Sequence, residues 1–279
     1  MIELTQSIID AAVKSALAED LGDAGDITCA ALIPEGLQST ADIVARVDGV
    51  LCGMQCAQTT LRLVDDSLRI TIFKNDGDHL KAGDVIAKLE GNTRSILTAE
   101  RTALNFLTHL SGIATLTAKF VKETAGTKAK ILCTRKTHPG LRALEKYAVR
   151  TGGAVNHRFG LYDAVLIKDN HLAAVGSISM AVQKARAAVG KTVKVEIEVD
   201  TLEQLGEALI TDADVIMLDN FSLESLRKAV SMAAGKIPLE ASGGVSLQTI
   251  RSISETGVDF ISVGAITHSA PALDIALDF

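Results

Sequence analysis

The sequence predicts an α/β protein whose C-terminal part is a parallel barrel covered by helices, and three observations carry that expectation. Short aliphatic runs alternate with helical stretches beyond residue 128, at 130–133, 164–167, 193–199, 215–218, 237–240 and 260–263. Three runs are related: Asp163-Ala164-Val165-Leu166-Ile167-Lys168-Asp169-Asn170, Asp214-Val215-Ile216-Met217-Leu218-Asp219-Asn220 and Asp259-Phe260-Ile261-Ser262-Val263-Gly264-Ala265. Such a strand-and-helix repeat marks a closed parallel barrel or a doubly wound sheet. Polar and glycine residues recur where nearly every run ends, which is where barrels assemble their sites, so the barrel is favoured. Six runs instead of eight mean either two strands that escape the pattern or an incomplete barrel.

Composition agrees. The 279 residues are 47% hydrophobic and 22% charged, ordinary for a folded chain, and only 3% aromatic with no Trp. The core is therefore aliphatic, which suits buried parallel strands. The formal charge of −6 argues against a general binder of nucleic acid or anionic membranes and leaves room for a local cationic site. Met1-Ile2-Glu3-Leu4 has neither the positive region nor the apolar run of a signal peptide, and no stretch reaches the roughly 18 apolar residues of a span, so a cytoplasmic location is expected. Cys29, Cys52, Cys56 and Cys133 form no CxxC pair and read as free buried thiols.

In order along the chain, Ile8 to Ala18 has helical periodicity and Gly22-Asp23-Ala24-Gly25-Asp26 breaks it. Strands follow at 41–47 and 68–73. Residues 77–87 read as turn, strand, turn, strand, like the edge hairpin of a biotinyl or lipoyl carrier, but no lysine stands at a tip in that context. Thr98 is placed to cap a helix carrying Leu104, Leu107 and Leu110, which Ser111-Gly112 is expected to bend before a second stretch to about residue 123. This segment is the expected connector between domains.

The strand ends supply Thr134-Arg135-Lys136, Lys168, Glu198, Asp219, Ser242-Gly243-Gly244 and Gly264-Ala265, with Gly152-Gly153-Ala154-Val155-Asn156-His157-Arg158 between the first two. Residues 129–171 hold eight Lys or Arg against three acids, a net +5 that leaves −11 for the rest. Such a block reads as a pocket for a small polyanion, because arginine forks grip carboxylates and phosphates and lysines add point charges. Arg142, Lys146 and Arg150, spaced four apart, are read instead as a solvated helix face. In Val193-Lys194-Val195-Glu196-Ile197-Glu198-Val199 the charged positions alternate, so Lys194, Glu196 and Glu198 are expected to face the barrel interior. Glu198 and Asp219 either share a divalent cation that bridges phosphate oxygens or pair with Lys136 and Lys168; the pattern alone leaves both open. The two glycine-bearing strand ends suit a phosphate cradle of backbone N–H groups. His157, between Asn156 and Arg158, is a candidate hydrogen-bonding group. His79, His109, His138, His171 and His268 are read as structural or supporting, and none pairs with zinc spacing.

These residues then resemble a known family. Thr134-Arg135-Lys136-Thr137-His138-Pro139-Gly140-Leu141-Arg142, Lys146-Tyr147-Ala148-Val149-Arg150, Asn156-His157-Arg158, Leu166-Ile167-Lys168-Asp169-Asn170-His171, Glu196 and Glu198, Met217-Leu218-Asp219-Asn220-Phe221 and Glu240-Ala241-Ser242-Gly243-Gly244 closely resemble the quinolinate phosphoribosyltransferases. The likeness runs from Gly25-Asp26-Ile27-Thr28 to Pro271-Ala272-Leu273-Asp274. Cys133, which stands where the family often has Asp, and Thr151 and Ala154 depart from the family pattern, none of them removing a charged group from the expected site. The resemblance implies an N-terminal α/β sandwich over residues 1–110, with the tail 268–279 a candidate to join it, and an incomplete barrel of six or seven strands over 111–267. It implies transfer of phosphoribosyl from phosphoribosyl pyrophosphate (PRPP) to quinolinate with decarboxylation, Mg²⁺ as cofactor, and a homodimer or a hexamer of dimers. Carried over, Arg101 reaches the neighbouring subunit's substrate, and Thr134, Arg135, Lys136, His157, Arg158 and Lys168 bind quinolinate. Lys136, Glu198 and Asp219 are catalytic, the last two as Mg²⁺ ligands, and Ser242, Gly243, Gly244, Gly264 and Ala265 hold the 5′-phosphate. The alternative is a non-catalytic or differently specific relative associated with molybdenum transport.

Overall fold

The structure is a computed structural model that describes residues 4–279; the Met1-Ile2-Glu3 start read above for a leader lies outside them. The elements are α1 (Gln6–Leu21), α2 (Ile27–Leu32), β1 (Gln38–Ala45), β2 (Gly49–Val50), α3 (Met54–Val64), β3 (Arg69–Ile72), β4 (His79–Leu80), β5 (Val85–Asn92), α4 (Thr93–Glu123), β6 (Lys130–Leu132) and α5 (Arg142–Thr151). There follow β7 (Val165–Ile167), α6 (Asp169–Val175), α7 (Ile178–Val189), β8 (Val195–Val199), α8 (Leu202–Ala208), β9 (Val215–Asp219), α9 (Leu223–Ala233), β10 (Leu239–Ser242), α10 (Ile250–Ser254), β11 (Phe260–Ser262), α11 (Ala265–His268) and β12 (Ile275–Asp278). Among the described residues two compact units emerge, one reaching to Ala118 with Thr137–Gly153 and Thr267–Phe279, the other of Lys119–Lys136 and Ala154–Ile266.

The first unit is built on a four-stranded antiparallel sheet in the order β12-β1-β5-β3. Ala41, Ile43 and Ala45 alternate into the core from β1 and meet Leu61 of α3, Ile96 and Leu107 of α4, and Leu273 and Ile275 from the chain's end. Each fully buried Leu or Ile there contributes roughly 1.5–3 kcal/mol over exposure. The expected hairpin at 77–87 does not form. β4 pairs with β2 while β5 pairs with β1, so the turn closed by Asp84 Oδ2 on the Lys81 N–H (3.0 Å) connects two different sheets.

The connector helix also differs from expectation. It begins at Thr93, where Asn92 Oδ1 accepts the Arg94 and Ser95 N–H groups at 2.9 and 3.3 Å, and Thr98 instead donates to Asp26 Oδ2 at 3.1 Å. It runs unbroken through Ser111-Gly112 to Glu123. Those two residues are small because neighbours press close. Ser111 Oγ accepts from the Cys52 N–H at 2.9 Å, and a Cβ on Gly112 would stand 2.2 Å from the Pro271 carbonyl oxygen.

The second unit is a six-stranded, all-parallel sheet in the order β6-β11-β10-β9-β8-β7. Among the described residues β6 and β7 are its two edges, so it is an incomplete barrel. Val155 adds a one-residue parallel bridge beside Leu132, and Arg158 Nη1 donates to the Ala164 carbonyl at the start of β7 (3.0 Å). Val195, Ile197 and Val199 of β8 pack outward with Leu205 of α8, while Glu196 and Glu198 take the inner face. Lys194 departs from the expectation: it precedes the strand and is exposed. The recurring Asp ties the sheet at its lower edge. Asp214 Oδ2 accepts the Val195 N–H (2.7 Å) and Asp259 Oδ2 the Leu239 N–H (2.9 Å). No helix among the described residues is long and apolar enough to cross a membrane.

Candidate active site at the strand ends

Alternation and register bring the predicted residues of the second unit together at the C-terminal ends of its strands. Ser242 lies opposite Asp219, Glu198 opposite Met217, and Ser262 opposite Leu132, which places the 134–136 and 264–265 segments after adjacent strands. Carboxylate oxygens of Glu198, Asp200 and Asp219 all lie within 4.8 Å of one another. Hard oxygen donors so gathered suit Mg²⁺. Asp200, one residue past β8, is a member of this group that the sequence reading did not single out. Lys168 Nζ donates to Glu198 Oε2 at 2.9 Å, one of the lysine pairings that the sequence offered for the two carboxylates.

Backbone conformation shapes the end of β10. Gly243 and Gly244 adopt φ of 97° and 57°, in the left-handed region that favours glycine. A Cβ on Gly243 would lie 2.1 Å from Asn220 Oδ1, so no larger residue fits there. Asn220, itself at φ 56°, donates its N–H to the Ser242 carbonyl at 2.9 Å and its side-chain amide to Asp219 Oδ2 at 2.6 Å. That bond orients Asp219. Nothing lies within 4 Å of a Cβ placed on Gly244, which leaves its backbone open to a ligand.

The cationic side is built by β6 and the segment after Val155. Thr134 Oγ1 accepts the Lys136 N–H at 3.0 Å, closing the turn that carries Arg135. Desolvation draws the Arg158 guanidinium below its usual range, and the positive charge of Arg135 adds to the effect. Two guanidinium groups that repel each other at a strand end are stabilised by an anion held between them.

His157 turns inward. Its Nε2 lies 2.9 Å from Glu196 Oε2 and 3.7 Å from Glu240 Oε2, with Ser262 Oγ donating to Glu240 Oε1, and its Nδ1 accepts the Arg158 N–H at 2.8 Å. Burial, and then the charge of Glu196, push the Glu240 carboxyl well above its ordinary 4.5, so Glu240 keeps its proton. A carboxyl whose folded pKa is raised stabilises the fold fully below its unfolded pKa, and that contribution is lost as pH rises through the folded pKa. Glu240→Gln is therefore expected to gain stability relative to the parent by about 1.4 kcal/mol per pH unit above about pH 5, levelling off past the folded pKa. Urea unfolding from about pH 5 to 8 checks this; a constant difference between the two proteins would contradict it.

In the first unit, Arg101 is 65% exposed on α4 and makes a 3.8 Å ion-pair contact to neighbouring Glu100. The solvated-face reading of α5 fails: Lys146 is 2% exposed, Glu145 is fully buried, and Arg142 and Arg150 are half-buried. Leu144, Ala148 and Val149 fill the spaces between the charged positions, which is the signal that four-residue charge spacing obscured. All four cysteines are buried and free, and burial pushes the Cys56 thiol up to about 12.

Comparisons with known proteins bear on this geometry. Residues 26–111 match the N-terminal domain of the quinolinate phosphoribosyl transferase family and residues 113–278 its C-terminal domain. A probable nicotinate-nucleotide pyrophosphorylase (carboxylating) of Bacillus subtilis (strain 168) is 46% identical over 93% of this chain and 89% of its own. The nicotinate-nucleotide pyrophosphorylase (carboxylating) of Mycobacterium leprae (strain TN) is 47% identical over 95% of each chain. The solved nicotinate-nucleotide pyrophosphorylase of Francisella tularensis superposes with a TM-score of 0.95 at 46% identity, over 99% of this chain and 97% of that one.

Proposed function

The chain belongs to the quinolinate phosphoribosyltransferase family, and from that premise we propose how its residues divide the reaction. The enzyme is a decarboxylating pentosyltransferase of NAD biosynthesis: quinolinate and PRPP give nicotinate mononucleotide, pyrophosphate and CO₂. The observation that carries the division is the pairing, at one end of one sheet, of a cationic side from Arg135 and Arg158 with the carboxylates of Glu198, Asp200 and Asp219. The first suits a dicarboxylate. The second suits a ribosyl group developing positive charge.

Arg135, Arg158 and Lys168 grip the two carboxylates of quinolinate; Thr134 holds the turn and His157 the conformation of Arg158. The glycine-lined segments at Ser242, Gly243, Gly244, Gly264 and Ala265 offer backbone N–H groups to the 5′-phosphate. The pyridine nitrogen then forms a bond to ribosyl C1 as the bond to pyrophosphate breaks. Glu198 and Asp219 stabilise the oxocarbenium-like charge and the ribose hydroxyls, and Lys136 the negative charge on the leaving group. Glu198, Asp219 and Asp200 would hold Mg²⁺, which when bound neutralises charge on the pyrophosphate oxygens. The carboxylate beside the ring nitrogen departs as CO₂, its electron pair taken up by the quinolinium ring and a proton replacing it.

A homodimer completes each site with Arg101 of the neighbouring chain. Its support is local: Asp26 caps α2 and bonds Thr98, one turn before Arg101, and α2 exposes Ile27 and Leu32 at 69% and 73%. Apolar side chains so exposed are what a subunit contact covers.

Calorimetry tests the substrate assignment. Quinolinate should bind the parent at one site per chain, and Arg135→Ala should weaken it about 10- to 100-fold, the worth of a charge-assisted pair. Unchanged affinity in Arg135→Ala would favour a differently specific relative on the same scaffold.

A further inference from the structure

A second group of ligand-capable side chains lies within the first unit and takes no part in the chemistry above. Glu145, in the first turn of α5, is fully buried, and three donors meet its carboxylate. His109 Nε2, from α4, stands 2.9 Å from Oε1; His138 Nδ1 stands 2.6 Å from the same oxygen; and the His138 backbone N–H donates to Oε2 at 3.2 Å. The two rings meet edge to face, with centroids 5.2 Å apart and planes at 83°. One oxygen therefore receives two imidazole nitrogens, and the three ligand atoms all lie within 4.8 Å of one another.

We propose that His109, His138 and Glu145 form a binding site for a divalent cation of the Zn²⁺ class. Two imidazoles and a carboxylate are the donor set of three-ligand zinc centres, in which bonds of about 2.0–2.2 Å set tetrahedral ligands roughly 3.3–3.5 Å apart. The cluster is already near that spacing and needs only small side-chain shifts. Imidazole nitrogen selects this class over Mg²⁺ and Ca²⁺, which take oxygen ligands, so the site is chemically distinct from the Glu198, Asp200 and Asp219 group. The cation enters from the His138 side, where that side chain is 50% exposed, against 27% for His109 and none for Glu145. Without metal, both ring nitrogens face Glu145 Oε1, and a bound cation takes the place of those two contacts. Because the ligands come from α4, the segment before α5 and α5 itself, the bound cation pins the turn at 138–141 to both helices.

The full chain, stripped with EDTA and kept in excess Mg²⁺, is titrated with Co²⁺ followed by visible absorption and with Zn²⁺ by calorimetry. One cation per chain is expected, with Co²⁺ bands of a nitrogen-containing, low-coordinate site. His138→Gln should weaken Zn²⁺ more than about 100-fold, beyond the roughly 10- to 100-fold that loss of an outer partner costs. Asp219→Asn should leave it unchanged. Glu145 is fully buried and its replacement threatens the fold, so half-exposed His138 carries the test, with His109→Gln as the second variant and circular dichroism as the folding control. Absence of Zn²⁺ binding at one per chain, affinity unchanged in both histidine variants, or affinity lost in Asp219→Asn would each overturn the proposal.

Discussion

Glu198→Gln is expected to lower kcat by about 10²- to 10³-fold, the usual cost of removing one preorganised electrostatic group from a transition state. The side chain keeps its size and loses its charge where positive charge develops on the ribosyl group. Lys168, 2.9 Å from Glu198 Oε2, loses its anionic partner at the same time. The KM for quinolinate should change much less, because Arg135 and Arg158 remain in place. Activity should also require more Mg²⁺, since one of three converging carboxylates is neutralised. Steady-state kinetics across a Mg²⁺ series separates these effects. A kcat within about tenfold of the parent would mean that Glu198 serves only as the partner of Lys168.

Arg101→Ala and Lys136→Ala are each expected to lose activity roughly 100-fold or more on their own, and to recover about a quarter of parental activity when equal amounts are mixed and allowed to exchange subunits. The fraction follows from counting. Random exchange makes half of the dimers mixed, and in each mixed dimer one site draws its arginine and its lysine from intact copies while the other lacks both. Arg101 suits such a role, being 65% exposed on a helix whose neighbouring residues Thr102, Ala103 and Leu104 are buried. Failure of the mixture to rise above the single variants, with exchange shown by mass-tagged chains, would confine each site to one subunit.

Much of the second unit was legible because its constraints are local. In β8, Val195, Ile197 and Val199 alternate with Glu196 and Glu198, and one face of a barrel strand must be apolar. The start of β10 was misplaced by two residues. Ile237 and Pro238 look strand-like, yet proline has no N–H to give the ladder; its carbonyl accepts from Ile216 and the strand begins at Leu239. Ser111-Gly112 reads as a helix breaker, whereas the side chains are small because Cys52 and Pro271 crowd them from far along the chain.

The candidate site divides in the same way. Residues at strand ends could be found from position alone, since the strands deliver them to one edge. What stayed hidden depends on partners remote in sequence. His157, Glu196 and Glu240 meet in a buried cluster, and His109, His138 and Glu145 meet around one oxygen, without any spacing that announces them. Lys146 sits four residues from both Arg142 and Arg150, and only the packing of Leu144, Ala148 and Val149 shows that this face is not solvent-bathed.

This chain joins quinolinate to the ribosyl group of PRPP and releases CO₂. Purified protein mixed with quinolinate, PRPP and Mg²⁺ should lose quinolinate absorbance with stoichiometric release of CO₂ and pyrophosphate, and should stop when Mg²⁺ is withdrawn. Folded protein that binds quinolinate yet turns over none of it under those conditions would contradict the account.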